Sequence, residues 1–518
     1  MTPSVRALVR ERARERCEYC RLPQSRLPVT TFHVEHVVAL QHGGTDDPDN
    51  LALACDRCNA FKGPNLTAID PDTSAVVRLF NPRLQAWRDH FRQVGFEVVG
   101  LTEVGRATVR LCNIIPLDAC SYDRKLDCAS MTIDGSLTGN EMDAPILRTD
   151  FLPRPVVVAS IELLRNGKTF VLRTRSTDEV EAITVPNSDR IANVYPLLLR
   201  QVIPVFLNRD ARELETILWD CYRHKDNYKY QGLALWVCVA AVEMAMLELL
   251  GQTAQRPVAD FFGGAVRRDI PVYFASGRRG NRPEEEVDRL RQMVADSGAR
   301  ALKFRLGGRM SGNADSLPGR SETLIPMVRE AFGDDFTLYA DANSSYDVEH
   351  AVRIGRMMED YRYGFFEEPV PFDDLWATKR VADELTIPVA FGEQEFSLTR
   401  FKWCIESRAC DIAQPDLRYF GGFVRATKVA RLAAAAGMSV VPHMSGGSLG
   451  YLDLVHFASF TPNIGPFMEF KGNADIPVEC DTSPLKCVNG LVRCPSGPGF
   501  GVRIDPDFIV SSAPVKCG

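Results

Sequence analysis

The chain does not open with an apolar stretch of the kind that heads an exported protein; MTPSVRALVRERARER is charged at every second or third position. That pattern argues against a secretory signal and predicts a cytoplasmic protein. No internal repeat or low-complexity run is present, so nothing points to a solenoid or a biased tail. An excess of one charge is also missing: 61 Lys and Arg stand against 67 Asp and Glu, a net charge of -6, which argues against a protein basic throughout. The longest apolar segment, LALWVCVAAVEMAMLELL, is interrupted by Glu243 and Glu248. It is expected to fall short of a membrane span and to form a buried helix, with no membrane partner. Fifteen cysteines in a chain without an export signal predict thiols and metal ligands rather than a disulfide framework.

What is present suffices for several cores. At 518 residues, and at about 150 residues per domain, three units are expected. Apolar residues at 45% and charged residues at 25% are ordinary soluble values. Acidic and imidazole side chains recur every 23 to 27 residues at Asp341, Glu367, Glu393, Asp416, His443 and Glu469, each closing a short apolar run such as TLYAD, YGFFE or SVVPH. A strand, a helix and two loops take about that length in a β/α barrel, where functional side chains sit at the C-terminal ends of the strands. The six are therefore expected at one barrel mouth. Three converging carboxylates repel one another unless a hard dication lies between them, and oxygen donors favour Mg²⁺.

Strand-like runs PVYFAS, RALKFRLGG, FTLYADAN, YGFFEEP, PVAFGEQ, CDIAQPD, MSVVPHM and PFMEF alternate with helical stretches, predicting an eight-stranded barrel over 266–474. Before it, VVVASIELLR and KTFVLRTRS read as paired strands and three helical stretches follow, giving a smaller domain over 154–265. The tail of about 475–510 is expected to return to that domain as extended chain. Residues 111–153 lack periodicity and read as a linker. Met131 within them could open a separate protein, so a fusion or a gene-model join is a live alternative.

Residues 1–110 form the third unit. They hold 15 Lys and Arg against 13 Asp and Glu, and seven arginines fall in the first 26 residues. These could meet phosphate or form a solvated helix face. Cys17, Cys20, Cys55 and Cys58 make two CxxC knuckles with the spacing of a tetrahedral thiolate zinc site, so structural Zn²⁺ is expected. Between the knuckles lie HVEHVVAL and GGTDDPDNLALAC, and the second runs into CNAFK.

Knuckles, Glu-His pair, Asn and CNxxK ending in this order resemble the HNH endonuclease family and its ββα-metal motif. The resemblance implies that Glu35 and Asn59 hold a divalent metal, with His36 as the base that activates water against a phosphodiester. Asn50 would orient His36 or its loop, and Lys62 and the N-terminal arginines would contact a DNA backbone. His33 and His42 read as structural or surface groups. A zinc-stabilised module that binds nucleic acid without cutting it stays open.

From about 154 to 510 the chain resembles the enolase superfamily and its mandelate racemase-like group. The matches are KxR at Lys303 and Arg305, DAN at Asp341 to Asn343, EEP at Glu367 to Pro369, GE at Glu393, QPD at Asp416, PH at His443 and ME at Glu469. The resemblance implies a modified (β/α)₇β barrel under an α+β capping domain that supplies substrate-selecting loops. Asp341, Glu367 and Glu393 match the Mg²⁺ ligands, Glu368 and Asn343 support them, and the metal would stabilise the enediolate left when an α-proton departs. His443 and Asp416 match a His-Asp dyad, with His443 as general base. Lys303 suits the substrate carboxylate. Glu469 could hydrogen-bond that carboxylate only if protonated, a form that burial favours.

Arg305 stands where a racemase carries a second lysine, and a guanidinium is a poor proton acceptor. Chemistry from the His443 face alone is therefore favoured over a two-base transfer. By resemblance this is dehydration of an acid sugar to a 2-keto-3-deoxy acid, in a homo-oligomer. Racemisation or epimerisation of a 2-hydroxy acid is one alternative. DNA cleavage with the barrel as passenger is a second, and a non-catalytic assembly a third.

Overall fold

The computed structural model describes residues 3–22, 24, 32–94, 97–112, 144–445, 449–472 and 476–516. Most of the expected linker, including Met131, lies outside the described residues. The chain divides into two compact units, Met1–Cys128 and Ala129–Gly518.

The first unit opens with helix α1 (Pro3–Arg12) and is built on an antiparallel pair, β1 (His33–His36) with β2 (Leu51–Ala54), followed by helix α2 (Asp56–Lys62). The pair runs in register from His33 opposite Ala54 to His36 opposite Leu51. All four residues of β2 are buried, so this short strand carries the unit's core. Asn50 makes the loop before it: its amide donates to the Val38 and Thr45 carbonyls at 2.9 and 3.0 Å and accepts the Val38 N–H at 2.9 Å.

The second unit contains a capping domain and a barrel. The cap has an antiparallel sheet of β3 (Val158–Asn166), β4 (Thr169–Ser176) and β5 (Glu181–Thr184), packed by helices α3 (Ser188–Leu197) and α4 (Leu233–Ala254). The barrel strands are β6 (Asp269–Ala275), β7 (Ala301–Arg305), β8 (Thr337–Asp341), β9 (Phe365–Glu367), β10 (Val389–Phe391), β11 (Ile412–Ala413), β12 (Ser439–Val440) and β13 (Met468–Phe470). They are parallel in the order β12-β11-β10-β9-β8-β7-β6-β13, so the last strand returns beside the first. Helices intervene between successive strands, as parallel pairing requires. Strands buried on both faces read as continuous apolar runs rather than alternating ones.

The tail differs from expectation in one respect. Strand β14 (Leu491–Arg493) pairs antiparallel with β6 of the barrel, and β15 (Ala513–Pro514) joins the capping sheet beside β3. The chain ties the barrel before it closes the capping sheet.

Helix α4 is 22 residues, long and apolar enough by length and composition to cross a membrane; the expectation of a shorter segment is corrected. Within the protein 89% of its apolar window is buried, as expected for a helix apolar on every side in the core of a large domain. Its two acids do not break it. Glu243 accepts the Val424 N–H at 3.0 Å, at the first turn of helix α5 (Phe423–Ala435), and Glu248 accepts the Phe500 N–H at 2.7 Å. The helix thus docks the cap onto a barrel helix and onto the tail. Burial pushes Glu243 up to about 8 and Glu248 up to about 7, so both are neutral at moderately acidic pH. Gly422, before α5, has φ +104, and a Cβ there would lie 2.3 Å from the Glu243 carboxyl carbon. Only glycine meets both conditions.

Candidate functional sites

Adjacent parallel strands in register point the same residues inward at one level. Arg305 stands opposite Asp341, and Asp341 opposite Glu367, across β7, β8 and β9. Glu393, Asp416 and His443 follow β10, β11 and β12 within three residues, and Glu469 lies in β13. Carboxylate oxygens of Asp341, Glu367 and Glu393 all lie within 4.8 Å of one another, and all three residues are buried. Oε1 of Glu367 has no hydrogen-bond partner. Three buried carboxylates with an unclaimed oxygen fit a hard dication.

The surroundings are cationic and hydrogen-bonded. Lys303, fully buried, places Nζ 2.7 Å from Glu367 Oε2 and 3.6 Å from Glu469 Oε1. Arg305 is paired with Asp341 and donates to Asn343 Oδ1 at 3.2 Å. With its oxygen so engaged, Asn343 turns its amide nitrogen to Asp341 Oδ2 at 3.2 Å and Glu393 Oε1 at 3.1 Å, bridging two of the three acids. Asn343 (φ 41) and Glu368 (φ 39) are both left-handed, directly after two of the acid-bearing strands. Strained backbone of this kind collects at functional sites.

His443 is held on both ring nitrogens: Nδ1 lies 2.7 Å from Asp416 Oδ2, and Nε2 lies 3.0 Å from Glu393 and 3.8 Å from Glu469. Burial opposes the imidazolium, but Glu393, Glu469 and Asp416 outweigh it and raise its pKa. Glu469 departs from expectation. Burial alone would protonate it, yet Lys303 and Lys471, the latter 3.2 Å away, and His443 hold it well below the usual carboxylate range. Glu368 moves the other way, raised well above the usual carboxylate range by burial and then by the charges of Glu393 and Glu367.

Three contacting residues escaped the sequence reading. Gln414 donates to Glu367 Oε2 at 3.1 Å, and Gln394 to Glu393 Oε1 at 2.9 Å. Arg279, from the loop after β6, reaches Asn343 and the Leu306 and Gly307 carbonyls. Gln414 lies inside the QPD motif and Gln394 directly after GE, which was the available signal; Arg279 had none.

In the first unit the four cysteines converge, with all ligand atoms within 4.8 Å of one another and Cys20 Sγ 3.8 Å from Cys55 Sγ. Of the other expected residues, Glu35 is engaged by protein groups and His36 is turned toward the surface. Neighbouring residues of a strand face opposite ways, so Glu35 points inward while His36 points out. Glu35 is paired with Lys62 Nζ at 2.9 Å and accepts the Tyr19 hydroxyl. Lys62 is 2% exposed and cannot meet a DNA backbone, which corrects that expectation. Asn59 is half-buried on α2. Among the described residues this unit gathers no second cluster of three His, Cys, Asp or Glu donors. His36 Nε2 lies 2.8 Å from Asp46 Oδ1 at the surface. Of the N-terminal arginines, Arg12 donates to the Pro48 and Leu51 carbonyls and Arg10 pairs with Glu15, so both also serve the fold.

Residues 285–508 match the family described as Enolase C-terminal domain-like, and residues 17–64 match HNH endonuclease. The D-galactarolactone cycloisomerase of Agrobacterium fabrum is 30% identical over 313 residues, 58% of this chain and 80% of that protein. The arabinonate dehydratase of Saccharolobus solfataricus is 27% identical over 310 residues, 59% of this chain and 80% of that protein. A mandelate racemase/muconate lactonizing protein from Paracoccus denitrificans, solved complexed with magnesium, superposes with a TM-score of 0.64 at 26% identity, covering 70% of this chain and all of that one. With the barrel, the strand-end acids and these relatives together, this chain belongs to the enolase superfamily, in its mandelate racemase/muconate lactonizing group, and carries an N-terminal HNH endonuclease-type domain.

Proposed function

We propose that the barrel removes the proton α to the carboxylate of an acid sugar and expels the β-hydroxyl, yielding a 2-keto-3-deoxy acid. The observation that carries this reading is the single imidazole base, His443 on Asp416, facing three buried carboxylates while the opposite strand end carries Arg305. Asp341, Glu367 and Glu393 would hold Mg²⁺, which supplies fixed positive charge beside the substrate carboxylate as the proton leaves. Asp416 accepts Nδ1–H, so the tautomer leaves Nε2 of His443 as the proton acceptor. Lys303 offers an ammonium to the substrate carboxylate. The proton gained by Nε2 passes to the departing hydroxyl: the C2–H and C3–O bonds break, a C2–C3 double bond forms, water leaves, and the enol becomes the ketone. Arabinonate, L-rhamnonate and D-gluconate dehydratases among the relatives support this substrate class.

The test is a screen of full-length protein with Mg²⁺ against mono- and diacid sugars, read as 2-keto-3-deoxy product and as α-proton exchange in deuterated water. Product supports the dehydratase. Exchange at both C2 configurations without product would replace it with a racemase or epimerase.

A second activity is carried by the first unit. Cys17, Cys20, Cys55 and Cys58 would hold structural Zn²⁺, and the outward His36 beside Asp46 supports an HNH module acting on DNA. Nicking of plasmid DNA that disappears in His36→Ala is the expected result; binding without nicking would leave a nucleic-acid-binding module.

A further inference from the structure

Helix α3 of the cap begins at Asn187, whose Oδ1 accepts the Arg190 N–H at 3.2 Å. That contact fixes the amide, so Nδ2 faces the Ser445 hydroxyl, 3.2 Å away after strand β12. Ser445 Oγ in turn lies 3.0 Å from Asp416 Oδ1. Ser445 donates to Asp416 and keeps its lone pairs for Asn187. The polarity of the whole chain is thus determined: Asn187 to Ser445 to Asp416, with His443 donating to the other carboxylate oxygen.

A second arm starts from the same helical turn. Arg190 Nε donates to the Tyr419 hydroxyl at 3.0 Å, and its guanidinium lies 5.5 Å from the Tyr419 ring centre. The Tyr419 N–H donates to Asp416 Oδ1 at 2.8 Å, beside that of Arg418 at 2.8 Å. Both barrel residues reached by this turn of the cap are therefore donors to one oxygen, the one facing away from His443. Asn187, Ser445 and Asp416 are all buried.

We propose that the first turn of α3 is a latch through which the capping domain sets the orientation of the barrel's base, with Asn187 and Arg190 as positioning residues for the Asp416–His443 dyad through Ser445 and Tyr419. The inference rests on the reading of His443 as general base. It makes proton abstraction depend on a seated cap, so that the domain expected to select the substrate also aligns the group that attacks it.

Asn187→Ser keeps a helix-capping oxygen but loses the amide, and Tyr419→Phe loses only the hydroxyl, so both preserve the fold around them. Full-length protein carrying [¹⁵N]histidine is compared by NMR, with the His443 Nδ1–H resonance identified by its loss in His443→Asn. The resonance is expected to move or broaden in Asn187→Ser and in Ser445→Ala, no further in the double variant, and to return in Ser445→Thr. Where turnover is measured, kcat should fall about three- to tenfold with KM nearly unchanged, the worth of one hydrogen bond when two backbone donors remain. An unmoved resonance in Asn187→Ser, Ser445→Ala and Tyr419→Phe overturns the latch, including when melting temperature falls. A moved resonance in protein that turns over no sugar acid keeps the latch and overturns the base assignment instead.

Discussion

Arg305 is paired with Asp341 at the end of β7, across the barrel from His443 at the end of β12. A lysine there could shed its proton and serve as a second base; a guanidinium stays charged. Exchange of the substrate α-proton with deuterated water is therefore expected for one C2 configuration only. Arg305→Lys should extend exchange to the other, read by NMR of the recovered sugar acid. Exchange of both configurations by the unaltered protein would locate a second base.

The docking of α4 makes Gly422 irreplaceable. Alanine there meets the Glu243 carboxyl at 2.3 Å and must also hold φ +104. A loss of about 2–4 kcal/mol is expected from crowding and backbone strain together, measured by urea unfolding.

Stability should also depend on Glu243. Its pKa of about 8 in the folded protein lies above the ordinary 4.5, so the folded state holds a proton that the unfolded state has released. Its contribution is complete below about pH 4.5 and is lost as pH rises toward 8. Glu243→Gln cannot ionise. Its stability relative to the unaltered protein should rise by about 1.4 kcal/mol per pH unit within that window and stay level outside it. A constant difference across the window would mean that Glu243 is ionised throughout.

Much of the barrel site was legible because the barrel's own period spaces its strand ends, and because each acid or imidazole closed an apolar run. Asp341, Glu367, Glu393, Asp416, His443 and Glu469 needed only that local rule to be found. The protonation of Glu469 was not legible, since it depends on Lys303 reaching over from β7 and on Lys471, just past the end of the same strand, turning back to the carboxylate. Glu243 and Glu248 looked like interruptions because their partners, Val424 and Phe500, are 181 and 252 residues away along the chain. In the first unit the CxxC spacing identified its own cluster. The pairing of Glu35 with Lys62 followed from strand alternation, which a four-residue strand hardly displays.

Removal of the thiolate cluster should unfold the first unit and leave the second intact. Full-length protein is expected to release one Zn²⁺ per chain when its thiols are titrated with a mercurial. Cys55→Ser should expose residues 1–112 to protease while 144–516 stays protected. Zinc-free protein with all four thiols still shielded would contradict a metal role.

The most direct test of the central claim is the turnover of sugar acids by His443→Asn against the unaltered protein, at saturating Mg²⁺, with metal binding measured in parallel. Metal binding is expected to be unchanged, with a loss of about 10²- to 10⁴-fold in 2-keto-3-deoxy product and in α-proton exchange. Product formed by His443→Asn at the rate of the unaltered protein would contradict that claim.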